Sequence, residues 1–154
     1  MPLAVAAINE LIDYYFRGAS APTLPANFYY TLLSAIPSGG SPNGTEITAG
    51  GVTRQARARN TTQWSGTQGA GTTGASTGTT TPGITRNNDK ITFAASASAD
   101  VSGAVAVGLF DASTGGNLKV WAYIRNSGGT PVTRNWLAGD EIAIEISAMQ
   151  WQLS

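Results

Sequence analysis

Carboxylates are the residues of this chain that come nearest, by type and spacing, to acid–base chemistry. Asp140 and Glu141 are adjacent, so on a strand their side chains point to opposite faces and cannot share one substrate atom. Glu141 and Glu145 would share a face but lie about 13 Å apart by strand rise. That separation exceeds the one used by the carboxylate pairs of glycosidases, so the spacing predicts solvated charges on a strand face.

The chain is rich in Ser and Thr, but a hydroxyl nucleophile needs an adjacent base to activate it. The sequence contains no His and no Cys, which removes the commonest general base and the thiolate metal ligands. Its two lysines, Lys90 and Lys119, follow no Ser-x-x-Lys pattern, and the Gly-rich runs lack the Gly-Lys-Ser/Thr ending of a phosphate-binding loop. We therefore expect a protein that is not an enzyme and that uses no metal or other cofactor.

One basic cluster is present, formed by Arg54, Arg57 and Arg59. On a strand Arg57 and Arg59 would share one face, with Arg54 on the other. Such a cluster suits an acidic partner, either a protein or DNA. Three charges without neighbouring aromatic residues nevertheless make a weak nucleic-acid footprint. We interpret the cluster as a solvated strand face or, alternatively, as a contact with a protein partner, and we do not expect nucleic acid.

The charge balance narrows the classes of partner further. At 154 residues the chain suits one domain, and its nine Lys and Arg balance nine Asp and Glu. A balanced chain has no overall field that would attract nucleic acid or an anionic membrane. Only 12% of the residues are charged, against about a quarter in ordinary soluble domains. Low charge is typical of a surface that neighbouring subunits cover.

The elements that must position these residues begin with a helix predicted over residues 3–17. Pro2 suits a first-turn position, and Gly18 follows as a natural stop. Apolar residues recur at three- and four-residue spacing, namely Val5, Ile8, Leu11, Ile12, Tyr15 and Phe16. The stripe packs on its own domain or, alternatively, forms an arm that contacts symmetry mates or a larger surface. With the Pro-rich connector that follows, residues 1–27 are predicted to be an N-terminal helical arm.

The start of the chain also bears on its location. The segment MPLAVAAINELIDYYF has no basic n-region, and Asn9, Glu10 and Asp13 interrupt its apolar run. Such a segment is unsuited to a secretion signal or a membrane span. We expect a chain that is made and used in a cytoplasm, or released by lysis, and that makes no membrane contact.

Residues 28–154 are predicted to be mainly β, as an antiparallel β-sandwich or jelly-roll-like domain, because short strands alternate with Gly-rich turns. Residues 28–36, FYYTLLSAI, are apolar on both faces and are predicted to form a buried central strand. In residues 118–124 the alternation sets four apolar side chains on one face, namely Leu118, Val120, Ala122 and Ile124. Lys119 and Trp121 would then lie on the opposite face.

In residues 140–154 the alternation of apolar and polar side chains changes phase. Its apolar residues first occupy even positions and then odd ones, namely Ile142, Ile144 and Ile146, followed by Met149, Trp151 and Leu153. A slip of one residue turns every side chain to the other face of the sheet. We expect a bulge or bend near Ser147–Ala148 or, alternatively, a strand that leaves one sheet there and joins another surface.

A long uncharged segment lies between Trp64 and Thr85 and consists almost entirely of Gly, Thr, Ser and Ala. Such a composition cannot bury enough apolar surface to order itself. Insertions of this length inside a compact domain are uncommon. The segment 64–85 is predicted to be an extended loop, either floppy or ordered as an arm on a partner.

Residues 108–124, GLFDASTGGNLKVWAYI, are predicted to form two strands joined by a tight turn. Gly115 and Gly116 would supply positive φ in this turn, and Asp111 and Asn117 are positioned to bond its backbone. The motif therefore has the character of a scaffold and not of an active site.

Four segments, 44–55, 87–97, 103–122 and 137–145, carry a family resemblance in the expected order. They resemble small tailed-bacteriophage virion proteins often labelled "phage tail fiber protein". That family has a Gly-Thr-Glu-Val-x-Gly-Gly-x-Tyr-x-Arg-Gln pattern, a Phe-Asp-Ala-x-Thr-Gly-Gly-Asn-Leu turn and a late Ala-Gly-Asp. Val52 stands where an aromatic residue is usual, and the Gly/Thr insertion is long. The resemblance implies a β-rich, symmetrically assembled structural protein of the virion, without catalytic residues.

Within a virion, a compact sandwich with arms suits a capsid decoration (cement) protein that clamps neighbouring capsid subunits. We expect it on the capsid surface, as a homo-oligomer and most simply a trimer, with the major capsid protein as its partner. The partner-binding residues would be the helical stripe and the three arginines. The alternative is a tail or tail-fibre component that contacts the host surface, for which exposed tryptophans could stack on glycans. The four tryptophans are Trp64, Trp121, Trp136 and Trp151.

Overall fold

The structure is a computed structural model that describes residues 3–60, 62–64, 84–94, 98–146 and 148–152. Over these residues the chain is mainly β and antiparallel, with one helix near the N-terminus, as the sequence predicts. The elements are α1 (Val5–Phe16), β1 (Asn27–Ala35), β2 (Thr45–Glu46), β3 (Gln55–Ala58), β4 (Ile84–Arg86), β5 (Ile91–Ala94), β6 (Val101–Ala104), β7 (Ala106–Phe110), β8 (Leu118–Tyr123), β9 (Arg134–Trp136), β10 (Ile142–Ile144) and β11 (Gln150–Gln152).

The largest sheet has the order β2–β1–β7–β8, and β3 pairs with β1 beside β2. β1 is therefore central, because β7 lies on one side of it and β2 and β3 lie on the other. The prediction of a buried central strand is confirmed: Tyr30, Leu32 and Leu33 are each at most 2% exposed. Its continuous apolar run reflects burial on both faces of the sheet.

Three two-stranded ladders, β5–β10, β4–β11 and β6–β9, complete the antiparallel fold. One face of the large sheet packs with side chains of the β5–β10 and β6–β9 ladders in the main hydrophobic core. The residues of this core include Tyr30, Leu32, Val107 and Leu109 from the large sheet and Ile91, Phe93, Val101, Ala104 and Ile142 from the ladders. The packing of a sheet against a second strand layer is the arrangement of a β-sandwich.

The opposite face of the large sheet holds a second, smaller core that includes Leu33, Phe110, Leu118 and Trp121. The strict alternation predicted for residues 118–124 is wrong at Leu118, which packs with Trp121 and not with Val120. The register between β7 and β8 shifts where Leu109 pairs with Val120 and Phe110 pairs with Leu118. A bulge at Lys119 absorbs the extra residue and reverses the face of the residue before it.

For the change of phase near the C-terminus, the second of the two predicted alternatives is confirmed: the chain leaves one ladder and joins another. β10 pairs with β5, whereas β11 pairs with β4 in a different ladder. The amide of Ala148 donates to the carbonyl of Glu145 at 3.0 Å in the intervening turn, and Met149 is buried in the main core.

The prediction that Ile142, Ile144 and Ile146 share one buried face is wrong at Ile146. Ile142 is 1% exposed and Ile144 packs against the core, but Ile146 is 61% exposed, because the strand has already ended. Ser147 and Leu153 lie outside the described residues, as do most of the segment 64–85 and, further on, residues 95–97.

The predicted helix is confirmed with slightly narrower bounds, since α1 runs over Val5–Phe16. Gly18 has φ +70°, and the amides of Arg17 and Ala19 both donate to the carbonyl of Asp13. This reversal closes the C-terminus, because a residue with positive φ folds the backbone over the last carbonyls. Among the described residues no helix is long and apolar enough to cross a bilayer.

Gly108 provides a test of packing at the centre of β7. A Cβ at this position would lie 2.9 Å from Leu118 Cδ1 and 3.1 Å from Leu33 Cδ1. We expect Gly108→Ala to lower the free energy of unfolding by about 1–3 kcal/mol through overpacking, measured by urea denaturation. Gly39→Ala is the control, because a Cβ at that position meets no atom within 4 Å. Equal stabilities of the two variants would contradict this description of the second core.

Candidate assembly surface on the N-terminal helix

The bulged Lys119 carries a buried charge at the centre of the candidate site. Its side chain is 9% exposed, and its ammonium group pairs with Glu10 Oε1 of α1 and with Asp111 Oδ2 at 3.2 Å. A buried ammonium is costly unless it is paired and hydrogen-bonded. Lys119 therefore joins the helix, the edge strand β8 and the turn after β7 in one polar cluster.

The pKa values within this cluster reflect its pairing. Burial acts to lower the pKa of Lys119, but hydrogen bonds to Glu10 and Asp111 outweigh it, so the pKa is raised. Burial likewise acts to raise the pKa of Asp111. The hydrogen bonds from the amide of Asn117 and from Lys119 outweigh that effect, so the pKa is lowered. Both shifts favour the charged forms, which is the signature of an ion pair that stabilises the fold.

The chain before α1 fixes where the helix begins. Leu3 forms an antiparallel bridge with Val120 of β8, and the amide of Ala4 donates to the carbonyl of Lys119 at 2.8 Å. Ala4 is 3% exposed and belongs to the second core. The helix is thus attached to β8 at its N-terminal end and, six residues after Ala4, through Glu10.

The side of α1 that faces β8 is small and polar. Ala6, Ala7, Glu10 and Asp13 are half-buried, whereas no residue of the helix is fully buried. In a surface helix the apolar side normally faces the core. In α1 this arrangement is reversed, because Lys119 requires a carboxylate on the side that faces the sheet.

The apolar stripe, defined as Val5, Ile8, Leu11, Ile12, Tyr15 and Phe16, consequently lies on the solvent side of α1. All six side chains are exposed, from 39% at Leu11 to 83% at Phe16. Tyr14, which the sequence analysis did not include, is 41% exposed and makes an edge-to-face contact with Tyr15. A contiguous exposed apolar patch of this kind marks an interaction surface in a soluble protein.

Arg54 has a structural position, and the interpretation as a solvated strand face does not hold for it. Its side chain is 8% exposed and makes a two-point ion pair with Glu46, at 2.9 and 2.6 Å. Its Nη1 atom donates to the carbonyls of Ala112 and Gly115, and its guanidinium lies 3.7 Å from the ring centre of Phe110. Arg54 thereby holds the turn after β7 against the start of β3.

The turn itself has the backbone geometry that its glycines require. Gly115 and Gly116 have φ of +61° and +68°, and Asp111 Oδ1 accepts from the amide of Asn117 at 2.7 Å. Asn43 crosses from a distant loop, donating to the carbonyl of Gly116 and accepting from the amide of Leu118. Sequence reasoning missed Asn43, which meets the turn from more than 70 residues away, and Glu46, which acts on the turn only through Arg54.

The other two arginines contact different parts of the chain. Arg57 Nη2 donates to the carbonyl of Lys90 at 2.7 Å, and its Nε lies 3.6 Å from Asp89 Oδ1. Arg59 is exposed and donates to the carbonyl of Pro25 at 3.2 Å. The three arginines therefore serve three separate contacts within the chain.

Glu141 and Glu145, two of the carboxylates considered for acid–base chemistry, both form ion pairs with Lys90. Lys90 Nζ lies 2.5 Å from Glu141 Oε2 and 3.4 Å from Glu145 Oε1, and both glutamates are more than half exposed. The hydrogen bond to Glu141 is the main cause of the raised pKa of Lys90. Over the described part of the chain, no group of three or more metal-ligating side chains converges.

An antiparallel β domain that exposes an apolar helical stripe suits a structural protein whose surface a neighbour covers. The comparison with known families agrees with this class. The family described as "Podophage GP4 fiber I protein gp80" matches residues 3–152, and the chain belongs to this family. It is thus a bacteriophage virion structural protein, as the sequence resemblance implies. None of the curated proteins matches the chain.

Arg54 gives a prediction on stability. Arg54→Gln removes a two-point ion pair and two carbonyl contacts, so we expect the free energy of unfolding to fall by about 3 kcal/mol, measured by urea denaturation. Arg17→Gln is the matched control. It removes an exposed ion pair with Asp13, and exposed pairs contribute little. If both variants lost the same small amount, the proposed role of Arg54 in holding the turn would be wrong.

Asp111 gives a prediction on pH. Because its pKa in the folded protein is lowered below the ordinary value of 3.8, its ionised form stabilises the fold above that pH. This contribution is lost as the pH falls through the folded pKa. We expect Asp111→Asn to be less stable than the wild type at pH 7 and the difference to shrink below pH 3.8, measured by thermal unfolding at a series of pH values. A difference that is independent of pH would refute the ion pair.

Proposed function

We propose that this virion protein is a tail-fibre component that assembles through the apolar stripe of α1. The observation that carries the proposal is the reversed helix, in which Glu10 is turned inward to Lys119 while Phe16 and Tyr15 are 83% and 69% exposed. A stripe in this position does not stabilise the isolated chain. It gains free energy only when another surface covers it.

The occupant that we propose for the stripe is the stripe of another copy of this chain. The charged residues of α1 are already satisfied within the chain, since Asp13 pairs with Arg17 and Glu10 pairs with Lys119. Apolar association of identical surfaces therefore leaves no unpaired charge from α1 at the contact. Most soluble oligomers are symmetric, and a trimer about one axis is the arrangement expected from the sequence.

The position on the tail is favoured by the description of the family, which names a fibre protein. A second candidate is the capsid decoration protein of the sequence analysis, with the major capsid protein covering the stripe. The low charge content of 12% favours it, because surfaces at the core of an interface are depleted of charge.

In either position we propose a structural role without enzymatic activity or cofactor, supported by the engagement of Glu141 and Glu145 with Lys90.

Assembly through the stripe can be tested with one triple variant. We expect the wild-type chain to be oligomeric in sedimentation-velocity experiments and the variant Val5→Gln, Ile8→Gln, Ile12→Gln to be monomeric. Glutamine retains helix propensity, and none of the three residues is buried, so circular dichroism and the melting temperature should change little.

The matched control is Leu137→Gln, which removes an apolar side chain that is 67% exposed in a loop. We expect this variant to assemble like the wild type. A triple variant that remained oligomeric, or a wild-type chain that was monomeric at all concentrations, would contradict self-assembly through α1.

The position in the particle is tested separately, by the ratio of this protein to the major capsid protein in purified virions. Quantitative mass spectrometry should give few copies per particle for a tail-fibre component. A near-stoichiometric ratio would instead support the capsid decoration protein, with the same stripe bound to the shell.

A further inference from the structure

A cleft of about 330 Å³ opens between β9 and β10, on the sandwich side of the large sheet. Its floor consists of side chains of the main core, namely Leu32, Phe93, Val107 and Ile142. Its polar lining comes from β9, with Arg134, Asn135 and Trp136. The volume is at the lower end of small-ligand sites, and an apolar floor with a few polar groups at the rim is their usual composition.

The cleft exists because β9 and β10 belong to different ladders and do not pair with each other. Both ladders are irregular beside it. The register of β5–β10 shifts between Ile142 and Ala143, and that of β6–β9 shifts between Val101 and Ala104. Register irregularities of this kind are over-represented next to binding sites, where they redirect side chains.

Arg134 is the basic side chain that the fold leaves unused. Within the described part of the chain, no carboxylate, carbonyl or aromatic ring contacts its guanidinium. Each of the other basic residues takes part in at least one interaction: Arg17, Arg54, Arg57, Arg59, Arg86, Arg125, Lys90 and Lys119. The neighbouring carboxylates Glu141 and Glu145 are engaged by Lys90. An unpaired guanidinium at the rim of a cleft suits a carboxylate or another planar anion.

Trp136 offers further groups of a complementary kind. It is half-buried and packs against the main core, and among the described residues no acceptor meets its indole N–H. Arg134 and Trp136 lie on the same face of β9, because their partners Ala104 and Val101 are both buried in the main core. Asn135 lies on the opposite face, where its Oδ1 accepts from the amide of Gly103 at 2.8 Å. The rim thus presents an aromatic body and one neutral donor beside one cation.

We propose that this cleft binds an acidic saccharide, with the sugar ring against Trp136 and its carboxylate on Arg134. The C–H face of a pyranose suits an aromatic surface, and its hydroxyl oxygens can accept from the indole N–H. A wholly apolar acid would leave that donor without an acceptor and would lose the corresponding free energy. This inference concerns a ligand site distant in sequence from α1 and stands whether or not the stripe mediates assembly.

The experiment titrates the full-length protein with two acidic probes, trigalacturonic acid and sialyllactose. Binding is followed by tryptophan fluorescence and by the NMR signals of the Trp136 indole. The trimethyl ester of trigalacturonic acid is the matched neutral ligand. We expect both acids to shift these signals and the ester to bind about tenfold more weakly or worse, because an ester cannot form the charged hydrogen bond to Arg134.

The variant Arg134→Gln should weaken binding of both acids by about tenfold or more, since it removes the charge while its exposed position spares the core. Arg17→Gln, which removes an arginine from α1, should bind like the wild type. Equal binding of acid and ester, an unaffected Arg134→Gln variant, or no shift at Trp136 with either acid would each overturn the proposal. Sedimentation of the same samples separates this result from any failure of self-assembly.

Discussion

The buried ammonium of Lys119 is the constraint on which the rest of the candidate surface depends. A bulge directs this side chain into the protein, where it is 9% exposed, and a charge in that environment must be paired. Asp111 supplies one partner from the turn, and Glu10 supplies the other from α1. Because Glu10 must face inward, the apolar side of the same helix faces outward.

Much of the fold follows from local sequence. The continuous apolar run of residues 28–36 is sufficient for a central strand, and the spacing of Val5 to Phe16 is sufficient for a helix. Two adjacent glycines predict the positive φ of the turn. The family, too, is indicated by the motif around Phe110–Leu118, because an Asp, two glycines and an Asn at fixed offsets are demanded by a specific backbone geometry.

The rest depends on contacts between distant parts of the chain, which periodicity does not encode. A stripe at helical spacing shows that one side of α1 is apolar but not whether that side meets the core. Arg54 resembles any strand-face arginine until Glu46 and the carbonyls of Ala112 and Gly115 are placed around it. Likewise, the significance of Arg134 is visible only once every other basic side chain has been assigned a contact.

The outward-facing apolar stripe also affects how the subunit behaves before it assembles. An exposed apolar surface associates with any other apolar surface it meets, and the tendency rises with the concentration of the chain. Because the proposed occupant of the stripe is another copy of the chain, the stripe of a newly made subunit stays exposed until the concentration of subunits is high enough for them to meet. The geometry of one helix thus couples the useful yield of the protein to the rate at which its subunits are made together.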